Sequence, residues 1–351
     1  VTLPRRLAPE AYAAGVLAGD RALLAKTVTL VESNRDDDRR LAQDVLARLL
    51  PHTGGSHRIA ISGPPGAGKS TLIEVLGMRL LNAGHRVAVL AIDPSSSVTG
   101  GSILGDKTRM TELGADARAF VRPSPSGGAL GGVHRKTRET MLLCEAAGFD
   151  VVLVETVGVG QSEITVAEMV DTFLLLLLPG AGDEVQGIKK GILEVADVVC
   201  VTKADGDHAA LAALSAQQLS SALRLLRPAS PTWRPPVLSC SALTDDGLTV
   251  LWETLQRHRE VMAADGQLDA RRARQRQRWM WSIVEDTVLR GIHTHPGVAA
   301  ILPRLAAAVE AGTEPATRAA EEILAALRDG SGQGGAVQVS PQQATMTTEG
   351  R

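Results

Sequence analysis

The chain has 351 residues, 44% hydrophobic and 22% charged, more than one small domain needs and an ordinary balance for a protein with a sizeable core. A formal charge of −2 gives no electrostatic case for nucleic acid or an anionic membrane as the main partner, and 2% aromatics leave little for base-stacking platforms. Cys144, Cys200 and Cys240 lie in apolar runs without CxxC spacing, which fits buried thiols in a reducing cytoplasm better than a disulfide framework or a zinc site. No basic region joins an apolar core and a cleavage site, and the most apolar segment, 173–178, is far shorter than the roughly 20 residues a membrane helix needs. A cytoplasmic protein without membrane or nucleic-acid partners is the expectation.

In chain order, residues 1–55 read as a helical N-terminal extension. Apolar positions at helical spacing between about 9 and 50, such as Val45, Leu46, Leu49 and Leu50, predict two or three helices around the charged run 34–40, and 51–55 reads as a linker. Residues 56–250 then alternate apolar, β-branched runs (59–62, 87–92, 151–154, 173–178, 198–201 and 237–240) with helical stretches, as a parallel sheet covered by helices on both faces requires. In such a sheet the ligand sits at the carboxyl ends of the strands. Residues 251–328 read as a helical C-terminal arm. It carries a basic run, 271–278, taken as a solvated helix or subunit contact because acidic residues flank it. Residues 329–351, rich in Gly, Gln, Ser and Thr, are expected to be disordered.

The chemistry follows the strand ends. The first strand runs into Gly63-Pro64-Pro65-Gly66-Ala67-Gly68-Lys69-Ser70-Thr71, and Leu72, Ile73, Leu76 and Leu80 continue at helical spacing. This is the strand, loop and helix of a P-loop, so the predicted class is an α/β P-loop NTPase with a mostly parallel sheet and helical extensions at both ends. The glycines let backbone N–H groups turn onto phosphate oxygens at the positive end of a helix. Lys69 can reach the β- and γ-phosphates, and the Ser70 hydroxyl can ligate Mg2+. Asp93 closes the second strand, where a carboxylate can stand beside metal-bound phosphates, although it could equally cap a turn. Glu155 and Gly158 form an ExxG after a fully apolar strand: the carboxylate is placed to hold magnesium directly or through water, and the Gly158 N–H to sense the γ-phosphate.

Thr202-Lys203-Ala204-Asp205 is close to the NKxD pattern. Asp205 can accept from guanine N1–H and the exocyclic amine, which selects GTP over ATP, and the Lys203 stem can cover the base. Thr202 replaces the usual Asn with a shorter side chain and one donor, so guanine preference is expected to be retained but reduced. Ser241-Ala242 matches the loop whose backbone approaches guanine O6. Val159 stands where small signalling GTPases place a water-orienting glutamine, which predicts slow intrinsic hydrolysis.

In this order GPPGAGKST, AIDPSS, ETVGVGQSE, TKAD and SA resemble the MeaB/ArgK-type GTPases, the chaperones associated with methylmalonyl-CoA mutase. The resemblance extends through GGSILGDKTRM (100–110), GGALGG (127–132), GDEVQGIKKGI (182–192) and Trp279-Met280-Trp281, and so covers about 12–327. It implies a homodimeric cytoplasmic GTPase that binds an adenosylcobalamin-dependent acyl-CoA mutase, gates its cofactor loading and protects or helps reactivate it. It makes 251–328 a dimerisation arm and 180–190 a switch. It also makes Ser70, Asp93, Asp106 and Glu155 candidate Mg2+ ligands or water-positioning groups, with Lys69 on phosphate and Asp106 the alternative to the missing glutamine. Competing readings are a nickel-type metallochaperone GTPase, which would need clustered His and Cys where His134, His208, His258, His293 and His295 are scattered, and a transport-linked ATPase or kinase.

Overall fold

Seven parallel strands in the order β3-β2-β4-β1-β5-β6-β7 form one sheet. The computed structural model describes residues 6–92, 110–124, 130–156, 162–180, 190–225 and 230–330. The strands are β1 (His57–Ser62), β2 (Val87–Ile92), β3 (Ala119–Ser124), β4 (Val151–Glu155), β5 (Thr172–Leu177), β6 (Val198–Val201) and β7 (Val237–Ser239). Six match the runs expected from sequence. The seventh, β3, is an edge strand carrying Arg122 and Pro123, polar and non-donating residues that an outer position tolerates and that hide it from a search for apolar runs.

Three helices precede the sheet: α1 (Pro9–Leu17), α2 (Arg21–Glu32) and α3 (Asp36–Leu49). The Asp20 carboxylate caps α2 by accepting from Ala22 N (2.8 Å) and Leu23 N (3.1 Å). The charged run after it is the first turn of α3, where Asp36, Asp37 and Asp38 face the positive end of the helix. Through the sheet run α4 (Lys69–Asn82), α5 (Thr111–Ala115), α6 (Leu130–Ala146), α7 (Ser162–Ala167), α8 (Lys190–Val195) and α9 (Ala209–Leu225), and after it α10 (Leu248–Ala264) and α11 (Gln267–Thr294).

Alternate strand residues face opposite layers, which is why the central strands read as unbroken apolar runs. Ala60, Leu90, Val152, Val154, Phe173 and Leu175 share one core with Leu24, Val28, Val45 and Leu49 of α2 and α3 and with Met141 and Cys144 of α6. The helices before residue 56 therefore pack into the core of the sheet and hold no core of their own. Ile59, Ile61, Val89, Leu153, Leu174 and Leu176 face the other layer, against Leu72, Ile73 and Leu76 of α4 and Leu248, Leu251 and Leu255 of α10.

The chain divides into two compact units, 1–280 and 281–351, with the boundary inside α11. In the second unit α12 (Pro296–Glu310) and α13 (Ala316–Gly330) pack together with Val298, Leu305 and Ala319 buried. Of the expected tail, 329–351, Asp329 and Gly330 close α13 and 331–351 lie outside the described residues.

Candidate nucleotide site

The loop after β1 passes so close to β5 that a Cβ on Gly63 would stand 2.4 Å from the Leu176 carbonyl oxygen, at φ +154°. Gly63 leaves no room for a side chain. Gly68, at φ +81°, is the N-cap of α4, so the first free N–H groups of that helix open toward the loop. Lys69 folds back over it, donating from Nζ to the carbonyls of Gly63 (2.9 Å) and Pro64 (3.2 Å).

Ile61 and Glu155 are paired in the register of β1 and β4, which places the carboxylate beside the loop. Ser70 Oγ donates to Glu155 Oε1 at 2.7 Å, both groups buried. Thr156 is anchored on β1 by its N–H to the Ile61 carbonyl (3.1 Å) and by its hydroxyl to Ser62 Oγ (2.9 Å). A buried hydroxyl against a carboxylate at a helix N-terminus is a pair of hard oxygen donors, the chemistry Mg2+ takes when it keeps most of its shell for water and phosphate. Asp93, Asp106 and Gly158, with Val159, lie outside the described residues, as does most of 180–190.

The end where the sequence predicts base recognition is built from β6 and β7. The Thr202 hydroxyl lies 2.8 Å from the Ala67 carbonyl and 3.1 Å from that of Leu177, so it ties the end of β6 to the P-loop. The shorter side chain of Thr202 reaches the loop. Lys203 holds φ +54°, an uncommon left-handed value for a residue with a Cβ, and the Ala204 N–H bonds the Cys240 carbonyl at 3.1 Å. Ser241, fully buried, donates its hydroxyl to Asp205 Oδ2 and accepts from Leu243 N and Thr244 N, each at 3.2 Å.

This side-chain role of Ser241 is not evident in the sequence, where only its backbone suggested a contact. Its signal is the polar residue that directly follows the β7 run. Gly247 closes the loop, with a Cβ position 2.4 Å from the Ser239 carbonyl oxygen that only glycine can occupy. All three cysteines are free and buried, as expected, and Cys200 and Cys240 stand with sulfurs 3.2 Å apart beneath the two base loops.

At the other end of the strands Arg271 and Arg272 depart from the expected solvated helix or subunit contact, while Arg274, Arg276 and Arg278 are exposed. Arg272 is buried and grips Asp171 through Nε (2.8 Å) and Nη2 (2.6 Å), while Arg271 makes two 3.0 Å bonds to Asp197. Arg58 forks onto Glu145 in the same way at 2.8 and 2.7 Å. Burial raises Asp197, but its contact with His258 and the charge of Arg271 outweigh that and hold it at about 2. Asp171 is likewise lowered: the Arg272 bonds and charge overcome its burial. His57, buried and bonded through Nε2 to Thr172 Oγ1 (2.9 Å), is pushed down to about 3, mainly by desolvation, against the pull of Asp171.

A glycine-rich strand-to-helix loop, a buried Ser–Glu pair beside it and an Asp–Ser pair beyond β6 and β7, set along the carboxyl edge of a parallel sheet, define a P-loop GTPase. The model of the family described as "Methylmalonyl Co-A mutase-associated GTPase MeaB" matches residues 24–296, and the chain belongs to that family. A Caulobacter vibrioides protein bearing a GTPase name is 60% identical over 312 residues, covering 89% of this chain and 95% of that one. The Mus musculus protein "Methylmalonic aciduria type A homolog, mitochondrial" is 48% identical over 324 residues, covering 90% and 78%. The solved structure "Crystal structure of LAO/AO transport system kinase" superposes with a TM-score of 0.75 at 35% identity, covering 93% of this chain and all of that one. No helix among the described residues is long and apolar enough to cross a membrane.

Proposed function

We propose that this GTPase is a cytoplasmic chaperone of an adenosylcobalamin-dependent acyl-CoA mutase, most simply methylmalonyl-CoA mutase, gating cofactor loading and protecting or reactivating the enzyme. The observation that carries the reading is the family match over 24–296 on a chain whose loop, Ser70–Glu155 pair and Asp205–Ser241 pair stand at one edge of the sheet. The residue roles are part of the proposal. The N–H groups of 63–71 and Lys69 bind the phosphates; Asp205, held by Ser241, reads the guanine edge; Lys203 covers the base; Ala242 approaches its O6; Thr202 fixes the distance between base loop and phosphate loop.

Ser70 and Glu155, with Asp93 and Asp106, would hold Mg2+, which when bound neutralises charge on the β- and γ-phosphates. Asp106 positions the attacking water in place of a glutamine, and intrinsic hydrolysis is slow. The proposed organisation is a helical extension at 1–55, the GTPase core at 56–250, a dimerisation arm at 251–328 and a tail from 329. In support of a homodimer, α11 within the second unit exposes Trp281, Val284 and Val288, spaced as one helical stripe, at 55%, 42% and 55%.

Phosphate release from GTP is measured with and without a methylmalonyl-CoA mutase from the same source, with ATP as control nucleotide. Slow GTP-specific turnover that rises with the mutase supports the reading. Turnover indifferent to this and other acyl-CoA mutases rejects the chaperone role, and preference for ATP with transfer to an acceptor favours the kinase reading.

A further inference from the structure

The loop between β7 and α10 carries Ser241 and Ala242, and from Leu243 to Asp246 it is exposed, Leu243 at 84%. An exposed stretch takes little shape from packing, so polar ties and backbone conformation set it. Within the loop Ser241 N donates to the Asp246 carbonyl (2.9 Å), Ser241 Oγ accepts from Leu243 N and Thr244 N, and Thr244 Oγ1 donates to Asp246 Oδ2 (2.8 Å). Asp245 turns the chain between these bonded residues. Its φ is +65°, a left-handed value that a Cβ disfavours and that persists where the surroundings hold it.

What holds Asp245 comes from the phosphate side of the molecule. Arg79 lies on α4, the helix that begins at Lys69. Its Nη1 stands 2.6 Å from Asp245 Oδ2, and its Nη2 donates to Thr249 Oγ1, also at 2.6 Å. Thr249 is in the first turn of α10, so one planar guanidinium joins the loop and the helix that follows it to α4. The two side chains are 35% and 55% exposed, and a pair so open to water adds little to global stability. Its effect is on position.

A second bridge runs alongside. The Thr202 hydroxyl joins the end of β6 to the phosphate loop at Ala67, and Ser241 meets Asp205 between the two bridges. The Asp205–Ser241 pair is thus referred to the phosphate side twice, through Thr202 and through Asp245 with Arg79. Base and phosphates belong to one ligand of fixed length. A loop that drifts against α4 carries Ser241 and Ala242 away from the base and leaves the phosphate contacts where they are, and hydrogen bonds weaken steeply once distance and angle depart from their optimum.

We infer that Arg79 is a positioning residue for base choice: by holding Asp245 it fixes the Ser241–Ala242 loop against the phosphate helix and sharpens the preference for guanine without touching the nucleotide. The inference rests on the reading of Asp205 as base selector and extends it to a residue outside every nucleotide motif.

Kd for GTP and for ATP is measured on the full-length protein by competition titration, with urea midpoints alongside. Arg79→Met, which keeps the aliphatic stem, should weaken GTP about threefold to fivefold and leave ATP unchanged, a split that a general loss of stability does not produce. Arg79→Lys, which keeps the charge opposite Asp245, should restore most of the preference. Asp245→Gly accepts the left-handed turn without the carboxylate, and in that background Arg79→Met should have little further effect, as expected of a coupled pair. An unchanged GTP-to-ATP ratio in Arg79→Met where Asp205→Ala lowers it, equal weakening of both nucleotides, or an undiminished Arg79→Met effect in the Asp245→Gly background overturns the inference. An unchanged ratio in Asp205→Ala overturns the base reading, and the role of Arg79 falls with it.

Discussion

Thr202 carries two duties with one hydroxyl. Its proton can be given to only one of the two carbonyls near it at a time, and the 2.8 Å contact to Ala67 is the shorter. Thr202→Val keeps the shape and leaves both carbonyls without that donor, so the protein should lose about 1–2 kcal/mol by urea denaturation and bind GTP more weakly. If Kd for GTP is unchanged, the tie does not set the loop. Asp205 is the sharper test of base choice. Asp205→Ala should reduce the GTP-over-ATP preference tenfold or more in a competition titration, because the acceptors for the guanine donors vanish. Ser241→Ala should reduce it less, since the carboxylate remains but is no longer held. Of this site the loop, Glu155 and Asp205 were legible in the sequence because their spacing is set by strand ends. The hydroxyl of Ser241 was not, because its bond to Asp205 crosses 36 positions and depends on how two loops meet.

Among elements, α11 shows how a charge run misleads. Eight residues, 271–278, hold five arginines, and composition alone cannot tell which of them turn inward. In the fold Arg271 and Arg272 reach carboxylates at the starts of neighbouring strands, Asp171 and Asp197, while Arg278 pairs with Glu168 at the surface. Arg272→Met should therefore cost about 3–5 kcal/mol, as expected for leaving Asp171 buried and uncompensated. Arg278→Met should cost under about 1 kcal/mol, as surface pairs do. Equal losses in melting experiments would refute the assignment of α11 as a clamp. The five inner strands were legible because they are buried on both faces, and β7, a half-buried edge strand, because its short run is apolar. The edge strand β3 and the acidic start of α3 were not, because an edge needs fewer apolar residues and a helix start attracts charge.

For the whole molecule, these groups predict how stability follows pH. His57 has a folded pKa of about 3, below its unfolded value near 6.5, so the unfolded chain takes up this proton first as pH falls. Its contribution is complete above about pH 6.5 and is lost down to about pH 3, on the order of 1 kcal/mol per pH unit. Asp171 and Asp197, also depressed, add their loss below the unfolded carboxylate range near pH 4, down to about 2 for Asp197. Urea midpoints should fall between pH 7 and pH 5 in the native sequence and change less in His57→Gln. A flat profile over that range in the native sequence would contradict a neutral buried His57.

Lys69 resting on Gly63 and Pro64 has a consequence for turnover. A cation already satisfied by its own loop does not wait for phosphate; it trades one set of oxygens for another. Nucleotide entry is then an exchange and product departure the reverse exchange, with two carbonyls ready to take the ammonium back as GDP leaves. Such a loop favours release of GDP over its tight retention.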